Sequence, residues 1–483
     1  MKLSFIYKQE VRIEKVLNDA MILPFINKNK YLIYLLFFSL FSQCSKNSQV
    51  PEIVEPITDV IEQPGETIIE PPTSDTDRPN ILFILADDLG VDATPRYPFG
   101  EYKPNMPTLE RLMDEGIQFT NVWTNPVCSP TRASILTGKY GYRTGVLNAE
   151  EAGRINSSEQ TIHRSLNEIN DTPYQTSIIG KWHLSGRNTT NVPQEMGIGY
   201  YAGLYIGGVD NYSNWSLNIN GESSNRTSYI TTDLTDLAID WISNQESPWF
   251  CWLAYNAPHD PFHLPPAHLH SQGELPDDES SINTNPLPYY LAMVESLDHE
   301  INRLLSTLDT ATLSNTIIIF LGDNGTPSQV VQSPFSNGKA KGSLYQGGVH
   351  VPMVISGIGV SRQGVTDNAL ITSVDLYNTF LEIAGLQPEE GLDSQSFYSL
   401  LQNSNSNHRE YNYTEVLSDR PNRSGYTIGD HRYKLMVFDN GNQAFYRYDI
   451  DPNQTNDLLE NTLDGEASSA YNALVQEARR IRN

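Results

Sequence analysis

The sequence predicts an α/β protein with a doubly wound, mostly parallel central sheet flanked by helices, followed by a smaller α+β C-terminal domain. Three observations carry this: apolar runs of strand length recur, helical patterns separate them, and the chain changes character after Gly391. The first run, residues 80–86, is almost wholly apolar, as a strand covered on both faces of a parallel sheet must be. Similar runs occupy 175–179, 249–255, 316–321 and 351–355, with helical patterns at 108–115 and 289–308 between them. Beyond Gly391 come short strand-like pieces at 426–428, 433–438 and 445–448 and a closing helix near 468–480. In such sheets ligands bind beyond the carboxyl ends of the strands, so chemistry is sought just after each run.

A chain of 483 residues, 39% hydrophobic, is long enough for one large domain and a smaller one. Its formal charge of −26 argues against nucleic acid as a partner. If the substrate is an anion, long-range attraction is absent and a local cationic pocket must supply it. Near the N-terminus, Asn27-Lys28-Asn29-Lys30 precedes an apolar stretch at 31–41, short for a membrane span but suited to the core of a signal peptide. Met21 offers an alternative start. Phe41-Ser42-Gln43-Cys44 resembles a lipoprotein cleavage site, although Gln43 and Phe41 depart from the usual small residue and Leu. The expectation is an exported protein, periplasmic or at the outer membrane and cell surface, lipidated at Cys44 and touching a membrane only through that anchor. The alternative is an ordinary signal peptide with an incidental Cys. Residues 45–78, rich in Pro, Glu and Thr, read as a flexible tether. The main domain is then 79–390 and the α+β subdomain 391–483.

The chain has three cysteines, Cys44, Cys128 and Cys251. Cys251 lies within Trp249-Phe250-Cys251-Trp252-Leu253 and reads as a small hydrophobe in a buried strand, so no disulfide framework is expected. Two acidic pairs stand at strand ends: Asp87-Asp88 after the first run, and Asp323-Asn324 after 316–321. Converging at one sheet edge, they would make an all-oxygen site for a hard cation, Ca²⁺ rather than Mg²⁺. On these residues alone, two unrelated solvated turns remain the alternative.

Cys128-Ser129-Pro130-Thr131-Arg132, followed by Thr137-Gly138, resembles the signature of the type I, formylglycine-dependent sulfatases, members of the alkaline phosphatase-like superfamily. Further landmarks follow in order: residues 105–120 resemble the family's first helix and following strand. Gly180-Lys181-Trp182-His183 and Pro258-His259-Asp260-Pro261 match two internal motifs. Lys341-Gly342 through Val351-Pro352 matches the late lysine segment, and Tyr448-Asp449-Ile450-Asp451-Pro452 a shortened terminal one. The likeness runs from Pro79 onward. It departs at Gln346 where Glu is usual, at His350 where Arg is usual, and at Ser185 where Gly follows Leu184, positions expected to shape the substrate pocket.

The resemblance implies a sulfatase in which a modifying enzyme oxidises Cys128 to formylglycine, and in which Asp87, Asp88, Asp323 and Asn324 hold one Ca²⁺ beside residue 128. One hydroxyl of the aldehyde hydrate attacks sulfur and the other releases sulfate. Arg132 and Lys181 would hold the hydrate, Lys341 and His259 the sulfate and leaving oxygen. His259 would act as general acid and His183 as base. These cations answer the need for a local pocket. The expected substrate is a sulfated polysaccharide or its oligosaccharides, an inference from export and from the Tyr- and Trp-containing stretch at 200–229, which either stacks on sugars or packs internally. The rival readings are a phosphodiester or phosphonate monoester hydrolase and a catalytically silent glycan-binding lipoprotein. His263, His268 and His270 read as a surface loop rather than a second metal site.

Overall fold

Ile81, Phe83 and Leu85 belong to one hydrophobic core and Leu82, Ile84 and Ala86 to another, so the first strand is covered on both sides. Its continuous apolar sequence follows from that burial. The computed structural model describes residues 78–150, 153–170, 172–185, 192–404 and 408–483. The expected signal peptide, Cys44 and nearly all of the tether lie outside the described residues. Among those residues no helix is long and apolar enough to cross a membrane.

The strands are β1 (Asn80–Ala86), β2 (Gly116–Trp123), β3 (Gln175–Lys181), β4 (Tyr200–Leu204), β5 (Trp215–Ile219), β6 (Glu222–Arg226), β7 (Trp249–Ala254), β8 (Thr316–Gly322), β9 (Met353–Gly357) and β10 (Val365–Thr372). They form one sheet in the order β10-β2-β9-β8-β1-β7-β3-β4-β5-β6. The centre, β8-β1-β7-β3-β4, is parallel throughout. The principal helices are α1 (Pro107–Asp114), α2 (Cys128–Thr137), α3 (Ile230–Ser243), α4 (Leu287–Thr307) and α5 (Asp375–Ile383). Residues of α2 and α5 join the core on one face, and those of α1, α3 and α4 the core on the other. This is the doubly wound arrangement expected, with its helices on both sides.

The apolar run at 351–355 becomes β9, which is antiparallel to both β2 and β8. Burial on two faces makes a strand apolar whichever way it runs, so the sequence carries no sign of its direction. The stretch 200–229 also resolves into structure. Tyr201, Tyr212, Trp215 and Tyr229 are buried, and the Tyr201 and Tyr205 rings stack 5.1 Å apart. These buried rings serve packing, which corrects the sugar-stacking reading for them.

The C-terminal part is an antiparallel sheet of β11 (Asn412–Val416), β12 (Gly425–Gly429), β13 (Tyr433–Phe438) and β14 (Gln443–Arg447), with helix α6 (Gly465–Arg482) against it. Strand β11, which has no counterpart among the sequence expectations, ties this sheet to the main one. Asn412 Nδ2 donates to Asn121 O at 3.0 Å and Thr414 Oγ1 to Asn125 Oδ1 at 3.0 Å.

A buried lysine marks the same junction. Lys434 is 0% exposed, its Nζ has no hydrogen-bond partner among the described residues, and it sits 4.3 Å above the Trp123 ring. Burial pushes its pKa well below the usual lysine value. The unfolded chain binds this proton up to about pH 10.4 whereas the fold gives it up earlier, so the penalty holds at neutral pH and fades as pH rises toward about 10.4. Lys434→Met is expected to raise Tm at neutral pH, on the order of 1 kcal/mol per pK unit of depression. The gain should shrink toward pH 10; a variant less stable at neutral pH contradicts this account.

Candidate active site

The site forms where the central parallel strands end. In the register of β1 and β8, Ala86 stands opposite Gly322, so the acidic pairs that follow them, Asp87-Asp88 and Asp323-Asn324, emerge side by side. Asp323 N donates to Ala86 O at 2.9 Å, and Asp88 N to Asp323 Oδ1 at 2.9 Å. All four side chains are fully buried. Strand β3 delivers Lys181, Trp182 and His183 next to them. Gly180, at φ +114°, is obligatory there because a Cβ would lie 1.9 Å from Ala254 O. Helix α2 starts at Cys128, so the thiol stands at a helix N-terminus, 2% exposed. Asp88 and His183 both hold positive φ, 69° and 57°, two of the five non-glycine residues among those described that do so.

Each carboxylate has its own cation. Lys181 Nζ is 2.5 Å from Asp87 Oδ2, Arg132 Nη2 is 2.9 Å from Asp323 Oδ2, and Lys341 Nζ is 2.6 Å from Asp88 Oδ2. His259 Nε2 lies 3.8 Å from Asp88 Oδ2. Arg132 Nη1 also donates to Lys181 O at 2.7 Å, which locks α2 onto β3. Two buried acceptors are left over: Asp87 Oδ1 and Asn324 Oδ1 have no hydrogen-bond partner among the described residues. Oxygens of Asp87 and Asp323 and the Cys128 sulfur lie within 4.8 Å of one another, as do ligand atoms of Asp87, Asp88 and His259. Partnerless buried oxygens among converging carboxylates fit a hard divalent cation.

The electrostatics agree. Burial, then the neighbouring Asp323 charge, raises the Asp87 carboxyl to about 8 against the pull of Lys181. Burial also acts to raise Asp88, but Lys341, His259 and Lys181 outweigh it and hold this carboxyl well below the usual range. Burial opposes the charge on Lys181 and Lys341, yet their carboxylate partners keep both ammonium groups charged. His183 is driven the other way. Burial, then Lys181, Arg132 and Lys341, depress its pKa far enough that the ring is neutral. Its Nδ1 stands 3.2 Å from Cys128 Sγ. His259 Nδ1 lies 2.7 Å from Asp260 O, an atom that only accepts, so Nδ1 carries a proton and Nε2 faces the acidic cluster.

Every residue selected from sequence as catalytic or metal-binding is thus brought to one place: Asp87, Asp88, Cys128, Arg132, Lys181, His183, His259, Asp323, Asn324 and Lys341. The structure adds others that no motif singled out. Ser129 Oγ donates to His183 O at 2.7 Å, fixing the strained residue. Gly207 lies flat on the His183 ring, where a Cβ would come within 2.3 Å of Cε1. Tyr212 Oη donates to His259 O at 2.6 Å and to Asn256 O at 2.9 Å. Asn256 follows β7 two residues beyond Ala254, which is in register with Leu85, and so stands level with Asp87. Its amide is 1% exposed with neither polar atom partnered among the described residues. Only its place just before the Pro-His-x-Pro loop hinted at a role.

At the departures from the family pattern the structure shows buried internal contacts. The Gln346 backbone N–H donates to Gln454 Oε1 at 2.6 Å, and the buried His350 ring bonds Thr120 O at 2.7 Å. Ser185 Oγ accepts from Trp182 Nε1 at 2.7 Å, holding the indole of the Lys-Trp-His turn. His263 stacks 4.1 Å from the Tyr212 ring, and none of His263, His268 and His270 falls in a metal-compatible cluster among the described residues.

Comparison with known proteins agrees with this geometry. The sulfatase family model matches residues 79–386, and the model of the C-terminal part of N-sulphoglucosamine sulphohydrolase matches 340–480. The uncharacterized sulfatase YdeN of Escherichia coli is 30% identical over 399 residues, covering 71% of this chain and 69% of its own length. Human N-acetylgalactosamine-6-sulfatase is 28% identical over 352 residues, 64% of this chain and 63% of its own. Among solved structures, BT4656 in complex with its substrate D-glucosamine-2-N,6-O-disulfate superposes with a TM-score of 0.70 at 22% identity, covering 84% of this chain and 98% of that one. Ps i-CgsB in complex with a neocarrahexaose gives 0.70 at 24% identity over 83% and 92%. At these identities the solved structures speak for the fold, whereas the family match extends over most of the chain, from the first strand of the sheet past α5: the chain belongs to the sulfatase family.

Proposed function

We propose that this sulfuric ester hydrolase removes sulfate from a sulfated polysaccharide or its oligosaccharides, using residue 128 as a formylglycine and Ca²⁺ held by Asp87, Asp88, Asp323 and Asn324. The observation that carries the proposal is the Cys128 sulfur placed at a helix N-terminus within 4.8 Å of two buried carboxylate oxygens. When present, the aldehyde hydrate supplies a nucleophile that can also release sulfate, and the cation supplies Lewis-acid stabilisation of charge on the sulfuryl oxygens.

The chain's own residues do the rest. Lys181 and Arg132, anchored on Asp87 and Asp323, place positive charge beside residue 128 and stabilise an oxyanion there. Lys341 reaches the sulfate side from Asp88. To protonate the leaving alcohol His259 must act as the imidazolium, with its Nδ1–H held by Asp260 O and its Nε2–H given to the alcohol oxygen, and neutral His183 takes a proton at Nδ1 from the group on residue 128. The glycan part of the reading draws support from the sulfated-sugar complexes of structural neighbours and from the leader-like segment, which favours export with an anchor at Cys44. A separate modifying enzyme would convert Cys128.

Turnover of an aryl sulfate, compared with an aryl phosphodiester, tests the reaction class. Sulfate ester hydrolysis should dominate and Cys128→Ala should abolish it without lowering Tm, while dominant phosphodiesterase activity would overturn the assignment. His259→Ala should lower kcat by about 10²–10⁴ on sugar sulfates but far less on aryl sulfates with good leaving groups, since these need little protonation. An equal loss on both would remove His259 from the acid role.

Calcium binding should also carry a pH signature. The metal-free Asp87 carboxyl is protonated below about 8 and a cation needs it ionised, so calcium affinity should rise as pH increases toward 8, with proton release on binding. Calorimetry in buffers of different ionisation enthalpy measures that release; pH-independent affinity would exclude Asp87 from the ligand set.

A further inference from the structure

Arg420 and Arg423 are exposed, and among the described residues neither side chain has a hydrogen bond or an ion pair. In a chain with 58 acidic and 32 basic residues several other surface arginines have found carboxylates, while exposed Arg154 and Arg479, like these two, have no such bond among the described residues. Arg96 pairs with Asp114, Arg111 with Glu115, and Arg432 with Glu466.

Their position in the fold is specific. Strand β11 runs beside the segment that leads to the nucleophile: Asn412 bonds Asn121, Thr414 bonds Asn125, and Val416 packs in one cluster with Val127 and Leu344. Cys128 follows Val127 directly, and Lys341 precedes Leu344 by three residues. Leu417 N donates to Leu147 O at 2.9 Å, and residues 417–424 form the loop beyond β11. Within that loop Arg423 N and Ser424 N both bond Arg420 O, at 2.8 and 3.1 Å, so the two arginines share one turn. Ser424 Oγ, donating to Asp439 Oδ2 at 2.5 Å, fixes the turn's far end. Asp419, the acid within the turn, accepts from Ser418 Oγ at 3.2 Å.

We propose that Arg420 and Arg423 form a second anion site at the rim of the catalytic cleft, one that takes a sulfate or carboxylate on a sugar neighbouring the one being desulfated. The inference rests on the function proposed above and narrows its substrate to oligosaccharides bearing more than one anionic group. Guanidinium groups offer the forked donors that such oxyanions accept. A local pair is also what this chain requires, because its overall negative field repels a polyanion at long range.

The test uses the mature, calcium-loaded enzyme and its double variant R420A/R423A. Both are assayed on an aryl sulfate, then with three competitors: sulfated carrageenan oligosaccharides, unsulfated oligogalacturonates and a multiply sulfated heparin oligosaccharide. For the wild type at least one sulfated oligosaccharide should inhibit aryl sulfate hydrolysis or be turned over. In the double variant its Ki or KM should rise by about tenfold to a hundredfold, as expected for loss of charge-assisted bonds, and its salt dependence should flatten. Aryl sulfate kcat/KM should stay within about twofold, since a monovalent substrate spans no second site. Inhibition by the carrageenan competitor alone assigns the site to sulfate, and inhibition by the galacturonate as well extends it to carboxylate. An unchanged Ki, an equal loss on the aryl sulfate, or no inhibition or turnover by any competitor overturns the proposal. Absence of aryl sulfate hydrolysis in the wild type would instead defeat the underlying assignment of function.

Discussion

The structure depends on an electrostatic conflict at the ends of β1 and β8. Asp87, Asp88 and Asp323 are all fully buried within a few residues of one another. Two carboxylates about 5 Å apart repel by roughly 3 kcal/mol even at an effective dielectric constant near 20, before the cost of desolvating them. The fold relieves this with Lys181, Arg132 and Lys341, one per carboxylate, and leaves Asp87 Oδ1 and Asn324 Oδ1 without a donor among the described residues. The relief is partial, as the raised Asp87 carboxyl shows. The proposed cation would answer both the residual repulsion and the two oxygens.

The same three cations explain how an acidic protein handles an anionic ester. Overall charge governs only the long-range field, whereas the pocket's charges act at contact distance in a water-poor setting. They also set the state of His183. Burial, then Lys181, Arg132 and Lys341, keeps this imidazole neutral, which leaves one ring nitrogen with a lone pair to take a proton while lowering its basicity.

Rigidity comes from ordinary backbone packing. Gly180 permits β3 to approach β7, Gly207 allows the chain after β4 to cover the His183 ring, and Tyr212 pins the backbone of the His259 loop. Strained conformations at Asp88 and His183 persist because these surroundings hold them. The C-terminal sheet takes part as well, since β11 braces the segment leading to Cys128 through Asn412 and Thr414.

The sequence by itself determined the strands buried on both faces, the acidic pairs at their ends and the Cys-x-Pro-x-Arg motif, because each is written in contiguous residues with a strong local signal. It therefore gave away the centre of the fold and the principal site residues. It did not reveal that β9 runs backwards, that Tyr201, Tyr212, Trp215 and Tyr229 turn inward, or that the His350 ring is buried against Thr120 O. Only the tertiary structure decided these, because strand direction and side-chain burial depend on distant partners rather than on local pattern. The same holds for Ser129, Gly207, Tyr212 and Asn256: a hydroxyl, a missing side chain, a phenol and an amide have no distinctive spacing, and they acquire meaning only when the sheet brings β1, β3, β7 and α2 to one edge.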